Sequence, residues 1–211
     1  KYLVELQPYI ALSKDPTLGL HSGACGFIFV AQQLSHEGTR YRKVHDQFKK
    51  NIVPSIMSYI ENLVLDDYPH PENYDLVGGA IGIGATLLGS RKASDVFETN
   101  VLLSLLHHLV WLGRQETTKY MSQFALWYQS PHLYERQLRW QAKGNAFIGY
   151  GMRRGLVGLI ALLSLALIDG LEIDTSDISE ALECLCKQIT QKMHRDREGW
   201  YWSKKTTTDI H

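Results

Sequence analysis

The stretch Tyr74-Asp75-Leu76-Val77-Gly78-Gly79-Ala80-Ile81-Gly82-Ile83-Gly84 holds a Gly-x-x-Gly turn, Gly79 to Gly82, that leads into an apolar run rich in small residues. The same arrangement occurs at Gly23-Ala24-Cys25-Gly26 and at Gly155-Leu156-Val157-Gly158. Repetition of one supersecondary unit points to a repeat architecture. Glycine at a helix start lets the backbone bend without a Cβ penalty and lets a neighbouring backbone come close. The runs that follow are short and apolar nearly all round, the pattern of helices that belong inside a fold.

Each turn is followed by a longer, one-sided helix. Val44, Phe48, Ile52, Ile56 and Ile60 recur every four residues, with Lys49, Lys50, Asn51 and Glu61 among the polar positions between them. A second such helix is expected from about Asp95 to Leu112, with Val96, Leu103, Leu106, Leu109 and Val110 as its apolar face. A third runs from Ser176 to about His194, its buried stripe Ile178, Leu182, Leu185 and Ile189, and Asp174, Thr175 and Ser176 offer oxygens to cap its first amides. Strand-like alternation with hairpin turns is absent, so sheet content should be low. Asp66 to Tyr74 reads as a loop, and the aromatic, polar stretch Gln129 to Ala146 as a long functional loop.

Pairs of one inner and one outer helix, stacked about an axis, give an all-α fold, an α/α toroid. Three turns supply an incomplete ring of about three to four helical hairpins. The 211 residues are expected to form one domain. Equal totals of 22 Lys plus Arg and 22 Asp plus Glu give no long-range pull toward nucleic acid or an anionic membrane. The longest apolar stretch, Leu156 to Ile168, is too short to span a bilayer. Cys25, Cys184 and Cys186 are too few for a disulfide framework and fit a reducing cytoplasm. On a helix the pair Cys184 and Cys186 would point to different faces, which argues against a shared metal.

The residues themselves resemble a known family. Tyr74 to Gly84 is similar to the Tyr-Asp-hydrophobic-x-x-Gly-x-x-Gly-hydrophobic-Gly signature of lanthionine synthetase C-like (lantibiotic cyclase) proteins. Lys143-Gly144-Asn145, then Gly151-Met152-Arg153-Arg154-Gly155-Leu156-Val157-Gly158 and Ala161 to Ala166, resemble that family's Gly-Leu-Ala-His-Gly-x-x-Gly segment and the helix behind it. Gly23 to Gly26, with His21 nearby, resembles its first glycine turn. The resemblance implies addition of a peptide Cys thiolate to dehydroalanine or dehydrobutyrine, closing a thioether ring. It also implies a dehydrated lantibiotic precursor peptide as partner, the dehydratase of the same pathway as a second, and a cytoplasmic place, peripheral to the membrane through partners. No nucleic acid and no membrane span are expected.

Such chemistry needs a thiol held as thiolate, which zinc achieves, and an acid to protonate the enolate. The resemblance gives Asp75 the place of the family's acidic residue beside the metal; the same residue reads equally well as a turn carboxylate ahead of the Gly79 helix. Arg154 stands where the family has its histidine. A guanidinium stays protonated and cannot be a general base, although it can stabilise an enolate by charge or anchor a carboxylate. The zinc ligands of the complete family site lie on Cys-Tyr-Gly and Cys-His-Gly segments, and neither pattern occurs between Lys1 and His211, so no metal ligand and no cofactor are assigned within this chain. The expected unit is thus cut short on its C-terminal side. His21, one residue out of register, and His107 and His108, without a second ligand at helical spacing, read as ordinary polar positions. A non-catalytic helical scaffold for a peptide or protein partner is the alternative. A two-carboxylate glycosidase on the same fold lacks a second acid beside Asp75.

Overall fold

The computed structural model describes residues 17–21, 23–35, 40–65, 74–90, 96–114, 128–129, 146–149, 151–153, 156–171, 173–191, 193–202 and 205–208. Among them are six helices: α1 (Ala24–Gln33), α2 (Arg42–Leu65), α3 (Ala80–Ser90), α4 (Val96–Arg114), α5 (Leu156–Ile168) and α6 (Thr175–Gln191). The protein is all-α in class, with five short strands: β1 (Tyr128–Gln129), β2 (Ala146–Gly149), β3 (Met193–Arg195), β4 (Trp200–Trp202) and β5 (Lys205–Thr208). The chain clusters into two compact units, one of Lys1–Asp67 with Glu72–His107, the other of Tyr68–Pro71 with His108–His211.

In the first unit the short helices α1 and α3 pack against each other, and α2 packs on α1. Both short helices are buried along most of their length, α1 through Ala24, Cys25, Phe27, Ile28 and Ala31. The contact of α1 with α2 is made by Phe27 and Phe48, whose rings lie 4.5 Å apart at 53°. That tilted geometry is favourable for aromatic pairs beyond the area it hides. Phe48, Ile52, Ile56 and Ile60 are buried as their four-residue spacing requires.

Lys49 departs from the expectation of a polar outer face, being only 5 % exposed. Its ammonium donates to the carbonyl of Ser90, the last residue of α3, at 2.8 Å and pairs with the Glu98 carboxylate at 2.5 Å. The cation thus meets a helix C-terminus and the anion lies in the first turn of α4, both in the sense the helix dipole favours. A long stem lets lysine enter an apolar interior when its charged end is satisfied, which the periodicity of polar residues does not register. Because Glu98 takes an interior position, the face of α4 is rotated from the expected one. Val96 is 70 % exposed and Leu103 half-buried, while Val101, Leu102, Leu105, Leu106, Leu109 and Val110 are buried. By length and composition α4 could cross a membrane, yet half of it is buried within the protein and it carries this ion pair.

In the second unit α5 packs on α6. Asp174 precedes α6 and caps it: its Oδ1 accepts from the Ser176 amide at 2.9 Å and the Ser176 hydroxyl at 2.5 Å. These bonds, the hydroxyl's first, hold the Asp174 carboxyl below its ordinary range. Of the expected stripe, Ile178 and Leu185 are buried, whereas Leu182 and Ile189 are half-buried. The helix stops at Gln191 rather than near His194, because the chain turns there into the antiparallel hairpin β3–β4, paired as Met193 with Trp202, His194 with Tyr201 and Arg195 with Trp200. Its turn is fixed by Asp196, whose amide donates to Gly199 O at 3.0 Å and whose Oδ1 accepts from the amides of Glu198 and Gly199. Gly199, at φ +139°, takes a conformation that side chains oppose. The indole of Trp202 donates to Ile189 O at 3.0 Å and ties the hairpin to the end of α6. Strand β2 lies between β1 and β5, antiparallel to both.

Candidate functional site

Asp75 sits at the mouth of α3 and is buried. Its Oδ1 accepts from the Gly78 amide at 2.5 Å and from the Gly79 amide at 3.2 Å, while its own carbonyl accepts from Gly79 at 3.1 Å. The carboxylate therefore closes the turn that launches α3 and places negative charge by the positive end of the helix. The turn-carboxylate reading of Asp75 is what this geometry displays. Tyr74 beside it is buried as well.

The segment ahead of α1 is docked on this turn. His21 donates its backbone N–H to Val77 O at 3.0 Å, and a Cβ on Gly19 would come within 2.9 Å of that oxygen and 3.0 Å of Gly78 Cα. The same segment accepts the first free amides of α1, through Thr17 O to Ala24, Leu18 O to Cys25 and Gly19 O to Gly26. Helix-start amides need such partners when buried. The first and second glycine turns are thereby joined backbone to backbone.

A shared geometry explains the second glycine of each turn. A Cβ on Gly26 would overlap the carbonyl oxygen of Leu20, and one on Gly82 that of Leu76; each oxygen belongs to the residue six positions earlier. The incoming chain lies against the helix at both places, and only hydrogen leaves room. Gly23 is likewise pressed against Thr17 and Gly19. The first glycines, Gly23 and Gly79, stand immediately before α1 and α3, and α5 starts at Leu156, immediately after Gly155. Gly158 is buried in α5. Gly155 itself and Arg154 lie outside the described residues, and with them the expected role of Arg154 at an enolate or a carboxylate. The loops 66–73 and 130–145 lie outside them too. Gly19, which periodicity and motif reading passed over, is marked only by its spacing of four from Gly23.

Behind the turn, Cys25 is fully buried in α1. Burial pushes its thiol up to about 12, against a smaller opposing effect of the hydrogen bond with Thr86. A thiol in that state is a packed apolar group rather than a nucleophile or a metal ligand. Tyr59 of α2 is also raised, first by burial and then by the charge of Asp75 and the nearness of Cys25. A phenol there stays protonated at neutral pH.

The remaining candidate ligands are dispersed. Cys184 is half-buried and Cys186 exposed, on either side of the buried Leu185. His107 is exposed, and His108 stacks on Trp111 with centroids 5.8 Å apart, its pKa lowered by burial. Among the described residues no three His, Cys, Asp or Glu converge as a metal would require. The donor set among the described residues does not fit a zinc ion.

No curated protein matches the chain in sequence. The family model described as lanthionine synthetase C-like protein matches residues 1–211, the whole sequence, and the chain belongs to that family.

Proposed function

We propose that the protein works in lanthipeptide biosynthesis and takes a dehydrated, cysteine-bearing precursor peptide as its partner. The observation that carries this reading is the family match along residues 1–211. The reaction concerned adds S–H across a carbon–carbon double bond: the thiolate sulfur bonds to Cβ, the π pair moves to Cα, and a proton then joins Cα. Zinc supplies thiolate formation in that chemistry. The described residues of this chain do not fit the ion, so thiol activation is assigned to none of them. Their role is the framework: the turn held by Asp75, the docked segment 17–21 and the helices behind them.

The alternative is a non-catalytic scaffold, in which Asp75, whose Oδ1 accepts from the amides of Gly78 and Gly79, serves the turn ahead of α3. The first reading requires the precursor peptide, whereas a scaffold takes a peptide or a protein partner. Fluorescence anisotropy of a labelled, dehydrated precursor peptide, titrated with the full chain, is expected to show saturable binding that a scrambled peptide lacks. Equal, weak binding of the two peptides would overturn the reading.

A further inference from the structure

The three short helices α1, α3 and α5 contain no charged residue, and each follows the first glycine of a Gly-x-x-Gly turn. They are not covered alike. In α3 eight of eleven residues are buried, as a helix apolar nearly all round requires. In α1 only five of ten are buried and in α5 six of thirteen, so both leave apolar surface in water.

That surface includes one stripe on each helix. On α1 it holds Phe29, Val30 and Gln33, with Leu34 at the C-cap; the three apolar side chains are between 44 % and 48 % exposed. On α5 it holds Val157, Ala161, Ser164, Leu165 and Ile168, whose spacing keeps them on one face; Leu165 is 53 % and Ile168 81 % exposed. The long helices α2 and α6 instead turn charged residues such as Lys50, Glu61, Glu180 and Lys187 to solvent. An uncharged, apolar face left open marks an interaction surface.

The kind of partner that suits α1 is displayed on its opposite side, where it packs against α3. That helix is uncharged, rich in small residues and opened by a Gly-x-x-Gly turn. Among the described residues α5 is the other helix of this kind that can serve, and its stripe is open. Shape agrees as well, since the bulky Phe29, Val30 and Leu34 can seat over the small Ala161 and Ser164, between Leu165 and Ile168. Each stripe is exposed in the single chain, so its cover comes from outside that chain. No charge would be buried by such a contact, so no ion is desolvated against it.

We infer that α1 of one chain docks on α5 of a second copy, each covering the uncharged stripe that the other leaves open. A contact between two different surfaces of one chain is heterologous, and it builds closed rings or open arrays of copies according to its rotation. This association is independent of the function proposed above.

The test is sedimentation velocity of the 211-residue chain across a concentration series at low and high NaCl. Copies should associate as concentration rises, and added NaCl should not weaken them, because no ion pair is involved. Val30→Lys on α1 and Ile168→Glu on α5 place a charge at exposed positions; circular dichroism should stay that of wild type, and each should weaken self-association at least about tenfold. An equimolar mixture of the two variants should recover a one-to-one complex, since one supplies an intact α5 stripe and the other an intact α1 stripe. Leu34→Lys and Leu165→Glu, mixed in the same way, should reproduce the result and guard against a local defect in the first pair. A wild type that stays monomeric throughout, a single variant that associates as wild type does, or mixtures that remain monomeric would overturn the inference.

Discussion

Among the described residues two cation–carboxylate clusters join helix ends, and they differ in burial. In the first unit Lys49 meets Glu98 and the end of α3 in the interior, with both side chains nearly hidden from solvent. In the second, Arg114 at the end of α4 meets Asp177 at 2.6 Å, and also Glu180, at the start of α6, where all three remain partly exposed. The residue types and their places relative to the helix dipoles are alike. The interior pair has given up its water and depends on its partner, whereas the surface cluster can exchange one for the other. Burial, more than geometry, therefore decides what each contributes.

The largest effect is expected from breaking the interior pair. Lys49→Ala or Glu98→Ala leaves a buried charge without its counterpart and should lower unfolding free energy by about 3–5 kcal/mol. Lys49→Met combined with Glu98→Leu should regain most of that loss. Chemical denaturation of the three variants checks it, and single variants within about 1 kcal/mol of wild type would erase the contrast with the surface cluster.

Next come the glycines that admit a neighbouring backbone. In a helix interior Gly→Ala ordinarily stabilises by about 1 kcal/mol. At Gly26 and Gly82 the added methyl would meet a carbonyl oxygen, so the sign should invert to a loss of roughly 1–3 kcal/mol. Gly89, where a Cβ would find only the Gln32 amide oxygen at 3.8 Å, should tolerate alanine with no loss. Thermal unfolding of the three single variants separates close approach from helix propensity.

Arg114→Ala should cost within about 1 kcal/mol, and the cost should shrink as salt rises, because the cluster is solvated. The smallest effect concerns pH. The Asp174 carboxyl is lowered in the folded state, so its cap is fully present above the unfolded value and is lost as pH falls through the folded one. Asp174→Asn should remove that acid-side dependence, as read from melting temperature against pH. A wild-type profile already flat there would count against the cap.

Much of this was legible beforehand. The four-residue spacing from Phe48 to Ile60 and the glycine turns gave the helix order, since burial of one face demands that spacing. The face of α4 was not legible, because Glu98 enters the interior only by virtue of Lys49, a residue far away in sequence. The end of α6 was not legible for a related reason. Helical periodicity through Ile189 continues naturally to His194, and the signal against it, Asp196 with Gly199 ahead of Trp200-Tyr201-Trp202, is a turn followed by only three strand residues. At the candidate site, motif likeness located Asp75, but the amides of Gly78 and Gly79 that its Oδ1 accepts from are backbone groups, which no residue pattern announces. The docking of Gly19 on Val77 and Gly78 depends on two segments folding together.

The central claim is that the described residues supply framework and partner binding, with no thiol-activating site. It is tested most directly by zinc analysis of the dialysed chain, joined to mass-spectrometric counting of free thiols in a dehydrated precursor peptide incubated with wild type and with Arg154→His. No stoichiometric zinc is expected, and thiol loss should be no faster than in buffer for both proteins. One equivalent of zinc, or faster thiol loss with either protein, would contradict it and place the chemistry on residues assigned here to structure.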